Sequence, residues 1–253
     1  MPRLGDLNVD LEKTKVPTGN YSFSATRIDT LGATEYTLAT IVVDVSGSTS
    51  GFRDEMEKAL KSVVQACKYS PRSDNLMIRL VVFAKTVKEV HGFKLLVNCN
   101  EADYDGILQR DHGVGGSTAL YDASVNGIES EAVYGAELIK QDFSANGIVV
   151  IITDGDDNES VCTPKIVRTK LNEAVTTETL ESMVSVLVGI NITDPRMQAA
   201  LQNFVTDAGL TQYVDAGNAD AKTLAKLAAF VSKSISSQSQ ALGTGGPSKT
   251  LTF

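Results

Sequence analysis

A doubly wound α/β fold, with a mainly parallel central sheet and helices on both faces, is the architecture this sequence predicts, and three observations predict it. Short apolar runs alternate along the chain with stretches whose apolar residues recur three and four apart, the pattern of strands alternating with amphipathic helices. One run, from Ile148 to its end at Thr153, is apolar without interruption, as a strand covered on both faces must be. At 253 residues with 42% hydrophobic content, the chain can bury one domain of this size, and two full domains are not expected.

Residues 1–20 are polar, contain Pro2 and Pro17 and show no sustained period, so they read as an N-terminal arm. Tyr21, Phe23 and Ala25 then alternate with Ser22 and Ser24, turn residues follow from Asp29 to Thr34, and a second extended run spans Tyr36 to Asp44. This predicts an N-terminal β-hairpin extension feeding a central strand. Phe52, Met56, Leu60, Val63, Val64 and Cys67 predict a helix that stops before Pro71. Leu76–Ala84 reads as a strand. Val87–Val90 and Phe93–Val97, with His91-Gly92 as the turn between them, predict an antiparallel hairpin at one sheet edge, with His91 exposed. A short segment around Tyr104–Leu108 leads to the loop Asp111–Thr118, which opens a helix from Ala119 to about Leu138. After the strand that ends at Thr153, Thr163-Pro164 has N-cap and first-turn chemistry for a helix to about Thr176. A strand over Met183–Ile190, a helix over Pro195–Ala208, a short strand at Gln212–Val214 and a last helix over Ala221–Ile235 complete the domain, residues 21–236. Residues 237–253 are rich in Ser, Gln and Gly and read as a flexible tail.

Composition narrows the function. A formal charge of −8 argues against nucleic acid or an anionic membrane as the main partner, because either requires a basic face. Cys67, Cys99 and Cys162 are odd in number and widely spaced, which suggests neither a disulfide framework nor a thiolate zinc site; they read as reduced, part-buried thiols. The first fifteen residues have no apolar leader region and no run of 18 apolar residues occurs, so a cytoplasmic protein is expected.

The chemistry concentrates where strands end. Ile41-Val42-Val43-Asp44 is an apolar strand stopping at a carboxylate, and Ser46 and Ser48 follow on the loop before a helix. These are oxygen donors only, which outlines a hard-cation site, for Mg²⁺ first. Ligands of open parallel sheets collect beyond the carboxyl ends of the strands. Two further loops leave that edge with oxygen donors: Thr118 after Gly115-Gly116, and Asp154 ahead of Gly155. Asp44-x-Ser46-x-Ser48, Gly115-Gly-Ser-Thr-Ala-Leu-Tyr-Asp-Ala123 and Ile151-Ile-Thr-Asp-Gly155, in that order, resemble the metal-ion-dependent adhesion site of the von Willebrand factor A domain family, whose fold is Rossmann-like. The resemblance covers roughly residues 38–236.

The resemblance implies that Ser46 and Ser48 ligate Mg²⁺ directly, with Mn²⁺ or Ca²⁺ as substitutes, and that Thr118 does so directly or through water. It places Asp44 and Asp154 largely behind water or as hydrogen-bond acceptors. Such a site leaves the ion electrophilic with one position open, and in the family a partner protein's Glu or Asp carboxylate fills it. The chain resembles compact intracellular bacterial members, including those associated with tellurium resistance, more than secreted adhesion modules, and such members often act beside ATPases or as assembly factors. Integrin-type relatives carry acidic residues after the second Ser that support an adjacent calcium site; here Thr49 and Ser50 follow, so no second site is expected. Asp156 and Asp157 read as a solvated acidic loop. The EF-hand reading of Asp154-x-Asp156-x-Asn158 fails at Glu159 and Lys165.

Two rivals compete with an adaptor that binds an acidic partner. A metal-dependent phosphoryl hydrolase would use the same ion to polarise a phosphoryl oxygen. It lacks an evident base: of the two histidines, only His112 lies near the Thr118 loop, and no nucleophile elbow or P-loop lysine occurs. The other rival is a scaffold with an empty metal site. No catalytic residue is assigned.

Overall fold

The computed structural model describes residues 11–15, 21–177 and 179–253. In chain order its main elements are β1 (Leu11–Lys15), β2 (Ser22–Thr26), β3 (Glu35–Asp44), α1 (Arg53–Lys68), β4 (Leu76–Phe83), β5 (Val87–Leu95), α2 (Leu120–Ile139), β6 (Ser144–Thr153), α3 (Pro164–Thr176), β7 (Met183–Ile190), α4 (Pro195–Ala208), β8 (Gln212–Gly217) and α5 (Ala221–Thr244). The strands form one sheet in the order β1-β2-β5-β4-β3-β6-β7-β8. From β4 to β8 every pairing is parallel; β5 runs antiparallel to β4, and β1 antiparallel to β2.

The pleat of β3 shows how the two faces are filled. Ile41 and Val43 pack with Met56, Leu60 and Val63 of α1 and with Leu224, Leu227 and Val231 of α5. Val42, between them, faces the opposite way and joins Ala123 and Ile128 of α2, Val167 of α3 and Phe204 of α4. A period-2 strand between two apolar layers has no solvent face, which is why the central runs carry almost no polar residues. α2 lies especially close to the sheet: a Cβ on Gly127 would sit 3.0 Å from the Val149 side chain.

Several elements differ from the sequence reading. Leu11–Lys15, within the expected arm, forms β1; residues 1–10 and 16–20 of that arm lie outside the described residues. The run at 21–25 does not pair with the run at 36–44. β2 instead joins β5, with Ala25 opposite Phe93, so β5 and β4 lie between the two strands of the expected hairpin. His91-Gly92 is not a turn but an irregular point inside β5, and His91 is 1% exposed. The physical reason is at Gly92, where an added Cβ would fall 1.9 Å from the Ser24 carbonyl oxygen; glycine is there for the close approach of β2.

α5 runs to Thr244, well past the expected end at Ile235. Two of the residues that suggested a tail, Gln238 and Ser239, are buried and hydrogen-bonded: the Gln238 backbone carbonyl accepts from Asn146 Nδ2 at 2.9 Å, and Ser239 Oγ from Arg72 Nε at 3.2 Å. Gly245, at φ 64°, ends the helix. Beyond it Ser248 Oγ bonds Gln238 Oε1 at 2.7 Å, Gln212 Nε2 donates to the Leu251 carbonyl at 2.9 Å, and Phe253 meets Phe230 edge-on at 5.6 Å. The terminal residues are thus packed against the domain. Among the described residues, no helix is long and apolar enough to cross a membrane.

Candidate metal centre

β3 and β6 are neighbouring parallel strands in continuous register, Val43 opposite Ile152, so their carboxyl ends coincide. That register brings Asp44 to Thr153. Asp44 is fully buried; its Oδ1 accepts the Ser46 backbone N–H at 2.7 Å and its Oδ2 accepts the Thr153 hydroxyl at 2.7 Å, across 109 residues of sequence. The chain then turns through a short 3-10 segment, Gly47–Gly51, that presents the two serines together. Ser46 Oγ and Ser48 Oγ lie 3.1 Å apart, and Ser48 Oγ donates to Asp154 Oδ1 at 2.8 Å. Arg53, in the first turn of α1, holds this loop from behind: Nη2 donates to the Val45 carbonyl and, at 2.9 Å, to the Ser46 carbonyl, while Nε reaches Thr49 Oγ1 at 3.1 Å.

Thr118 joins the same corner through backbone bracing. Its N–H donates to Asn158 Oδ1 at 2.8 Å and its carbonyl accepts from the Asn158 N–H at 2.9 Å, which ties the second loop to the third. The Gly47 N–H to Gly116 carbonyl bond, 3.4 Å, ties the second loop to the first. A further brace crosses outside, where Glu159 takes Lys85 Nζ at 3.0 Å and the Ser117 hydroxyl at 3.0 Å. All five residues singled out in the sequence therefore belong to three mutually bonded loops, and Asp44, Ser46, Ser48 and Asp154 form one continuous hydrogen-bonded path.

The corner is electrostatically unbalanced. Burial pushes Asp44 up to about 6, and the Asp154 charge adds to this against the hydrogen bonds from Thr153 and Ser46; among the described residues no cationic side chain forms an ion pair with it. Burial also raises Asp154, opposed by the Ser48 hydroxyl and by Arg53, whose guanidinium is committed to backbone carbonyls. Two carboxylates and three hydroxyls, with no ion pair to Asp44 among the described residues, fit a hard divalent cation, which supplies positive charge and takes oxygen ligands. Among the described residues no group of three or more His, Cys, Asp or Glu gathers as an alternative metal site.

Sequence reasoning missed Thr153, Asn158 and Arg53 as positioning residues. Thr153 carries a readable signal, since it ends the strand beside Asp154. Asn158 carries none, because its partner is 40 residues away. Asp157, expected as a solvated carboxylate, accepts from the Tyr121 N–H at 3.3 Å and the Ser160 N–H at 3.4 Å, and so steadies the start of α2. His91 is remote from this corner, enclosed between the Gly92 carbonyl and the Tyr104 hydroxyl at 2.9 Å each. His112 is buried nearby, with Nε2 on the Ile107 carbonyl at 2.7 Å.

Solved structures with this fold include a D319A mutant of the PilB minor pilin from Streptococcus sanguinis, with a TM-score of 0.58 and 14% identity over 88% of this chain and 66% of that one. Proximal thread matrix protein 1 from the mussel byssus, with a zinc-occupied MIDAS motif, aligns at a TM-score of 0.52 and 17% identity over 80% of this chain and 46% of that one. The pilus adhesin SpaC from Lactobacillus rhamnosus GG in its open conformation aligns at 0.56 and 12% identity, over 90% and 33%. The chain spans less than two thirds of the length of each of these proteins. No curated protein sequence matches it significantly. The model of the von Willebrand factor type A domain matches residues 40–229, three quarters of the chain and all three loops of the corner, and the chain belongs to that family.

Proposed function

We propose that this domain is a metal-dependent protein-interaction module, an adaptor or assembly factor, in which Ser46, Ser48 and Thr118 hold a divalent cation and Asp44 and Asp154 balance its charge. The observation that carries the reading is the path Asp44–Ser46–Ser48–Asp154, closed between strands by a bond across 109 residues, around a carboxylate that forms no ion pair among the described residues. Mg²⁺ is the ion expected, with Mn²⁺ or Ca²⁺ as substitutes, because every donor is oxygen. When bound, the ion offers an electrophilic position for the carboxylate of a partner's Glu or Asp. The chain's own residues do the rest: Arg53 fixes the serine loop, Thr153 orients Asp44, and Asn158 fixes Thr118. Support comes from the family, whose members bind metals and protein partners at this corner, and from the neighbour with zinc at its MIDAS motif. The hydrolase rival gains no residue: His91 is enclosed and His112 commits Nε2 to a backbone carbonyl.

The test is an affinity pull-down from the native cell with the full chain, run with Mg²⁺ and with EDTA beside Asp44→Ala and Thr118→Ala. Partners that depend on Mg²⁺ and vanish in both folded variants support the module. Undiminished recovery in EDTA would overturn it.

A further inference from the structure

Beside the metal corner lies a second polar feature that the interaction reading leaves unused. A cavity of about 260 Å³ opens among Val45, Arg53, Gln109, Arg110, His112 and Gly115, with Asp111 at its edge. His112 is 6% exposed; its Nε2 must carry the proton, because it contacts the Ile107 carbonyl, which can only accept. Nδ1 is then a bare acceptor, and it is buried without a hydrogen-bond partner among the described residues. Burial and the nearby Lys88, Arg110 and Arg53 charges hold this imidazole below its ordinary pKa, so at neutral pH Nδ1 waits for a donor.

The other walls offer the opposite. Arg53, Arg110 and Asp111 line the cavity; Arg110 makes a further interaction of its own, and Asp111 spends Oδ1 on the Gly113 N–H at 2.8 Å. The Gln109 amide is tied to Asp54 at 2.7 Å. Arg53 uses Nε and Nη2 on the serine loop, which leaves Nη1 as the end it can present to a ligand. A fitting ligand therefore brings anionic oxygens for the arginines and one hydroxyl hydrogen for His112. A carboxylate or sulfate at neutral pH has the first and lacks the second; a hydrogen-phosphate group has both.

We propose that this cavity is a phosphate-binding site, in which Arg53 and Arg110 take the oxygens of a small phosphate, or of a phosphomonoester held as its hydrogen-phosphate monoanion, and His112 Nδ1 accepts from its P–OH. The site does not depend on the metal reading. It shares Arg53 with the Ser46 carbonyl, so an occupant bears directly on the loop that carries both serines.

The experiment titrates the full chain in EDTA with inorganic phosphate, with sulfate and with a short phosphoserine peptide, following heat release and the His112 ring resonances by NMR. Inorganic phosphate is expected to bind and to shift those resonances, with sulfate weaker by about tenfold because it has no hydrogen to give Nδ1. Arg110→Gln and His112→Phe are each expected to lose about tenfold or more in affinity, and circular dichroism separates that loss from misfolding. If His112→Phe fails to fold, Arg110→Gln and the sulfate comparison decide. A peptide that binds more tightly than phosphate identifies a phosphorylated protein as the source; a weaker one identifies a free small molecule. No response to phosphate at about 10 mM, some hundredfold above a moderate dissociation constant, equal binding of sulfate, or full affinity in the folded variants would overturn the proposal.

Discussion

Asp44 and His91 are both buried and both titrate between pH 4 and 7, in opposite senses. Burial drives His91 down to about 4, with Lys94 and Arg79 adding to the shift against the Gly92 hydrogen bond. Its folded pKa lies below its unfolded one, so its stabilising contribution is full above about pH 6.5 and is lost as pH falls through 4, a change of about 3 kcal/mol. Asp44, raised to about 6, does the reverse: its contribution is full below about pH 3.8 and is lost as pH rises through 6, again about 3 kcal/mol. In the metal-free protein the two nearly cancel. Asp44→Asn should therefore melt higher than the parent in EDTA at pH 7.5 and become acid-labile below pH 6. The amide keeps an acceptor for Ser46, and Thr153 Oγ1 can still donate to the Gly155 carbonyl, 2.9 Å away. His91→Gln should gain stability toward pH 4 although weaker at pH 7.5. Urea denaturation across that range checks both, and parallel pH profiles for the two variants would refute the assignment.

Two elements show how far a helix or strand departs from its own sequence pattern. α2 carries the acidic residues Asp122, Glu129 and Glu131, and all three are buried. Asp122 accepts the Cys162 N–H at 2.8 Å, Glu129 pairs with Lys170 at 2.9 Å, and Glu131 Oε1 accepts the Thr40 N–H at 2.9 Å. Asn126 and Ser130 hold Arg79 of β4 at 3.0 Å each, and Arg79 Nε reaches Glu89 of β5 at 2.7 Å. Removing one member of such a buried set strands the others, so Arg79→Leu should cost about 3–5 kcal/mol, read as a lower urea midpoint. β2 depends on a single missing side chain. Gly92→Val would place carbon inside the Ser24 backbone, so β1 and β2 should detach while the rest of the sheet survives. Limited proteolysis with mass spectrometry should then find cleavage between residues 11 and 34, and a variant as resistant as the parent would contradict this account of β5.

At the scale of the whole molecule, the metal corner joins the ends of β3 and β6 to the loop before α2, so an ion there holds together segments from three parts of the chain. A ligand at a hundred times its dissociation constant stabilises the folded state by about 2.7 kcal/mol. For a domain of this size that is a rise of roughly 5–10 °C in Tm. Calorimetry should show it with Mg²⁺ or Mn²⁺ in the parent and not in Asp44→Asn. Absence of any rise with Mg²⁺, Mn²⁺ and Ca²⁺ in the parent would count against a metal at this corner.

The alternation of strands and helices from β6 onward, and the candidate residues Asp44, Ser46, Ser48, Thr118 and Asp154, could be read from the sequence because their signals are local: periodicity, an apolar run ending in a carboxylate, hydroxyls two residues apart. Where polar residues are paired over long distances that reading fails. Gln238 and Ser239 looked like a tail and are buried helix, because Asn146 of β6 and Arg72 bond to them. His91 looked like a turn and lies in the core, because Gly92 admits β2. The bonding of Thr153 to Asp44 and of Asn158 to Thr118 was decided only by the tertiary structure. Strand register and loop docking choose those partners, and neither leaves a period in the sequence.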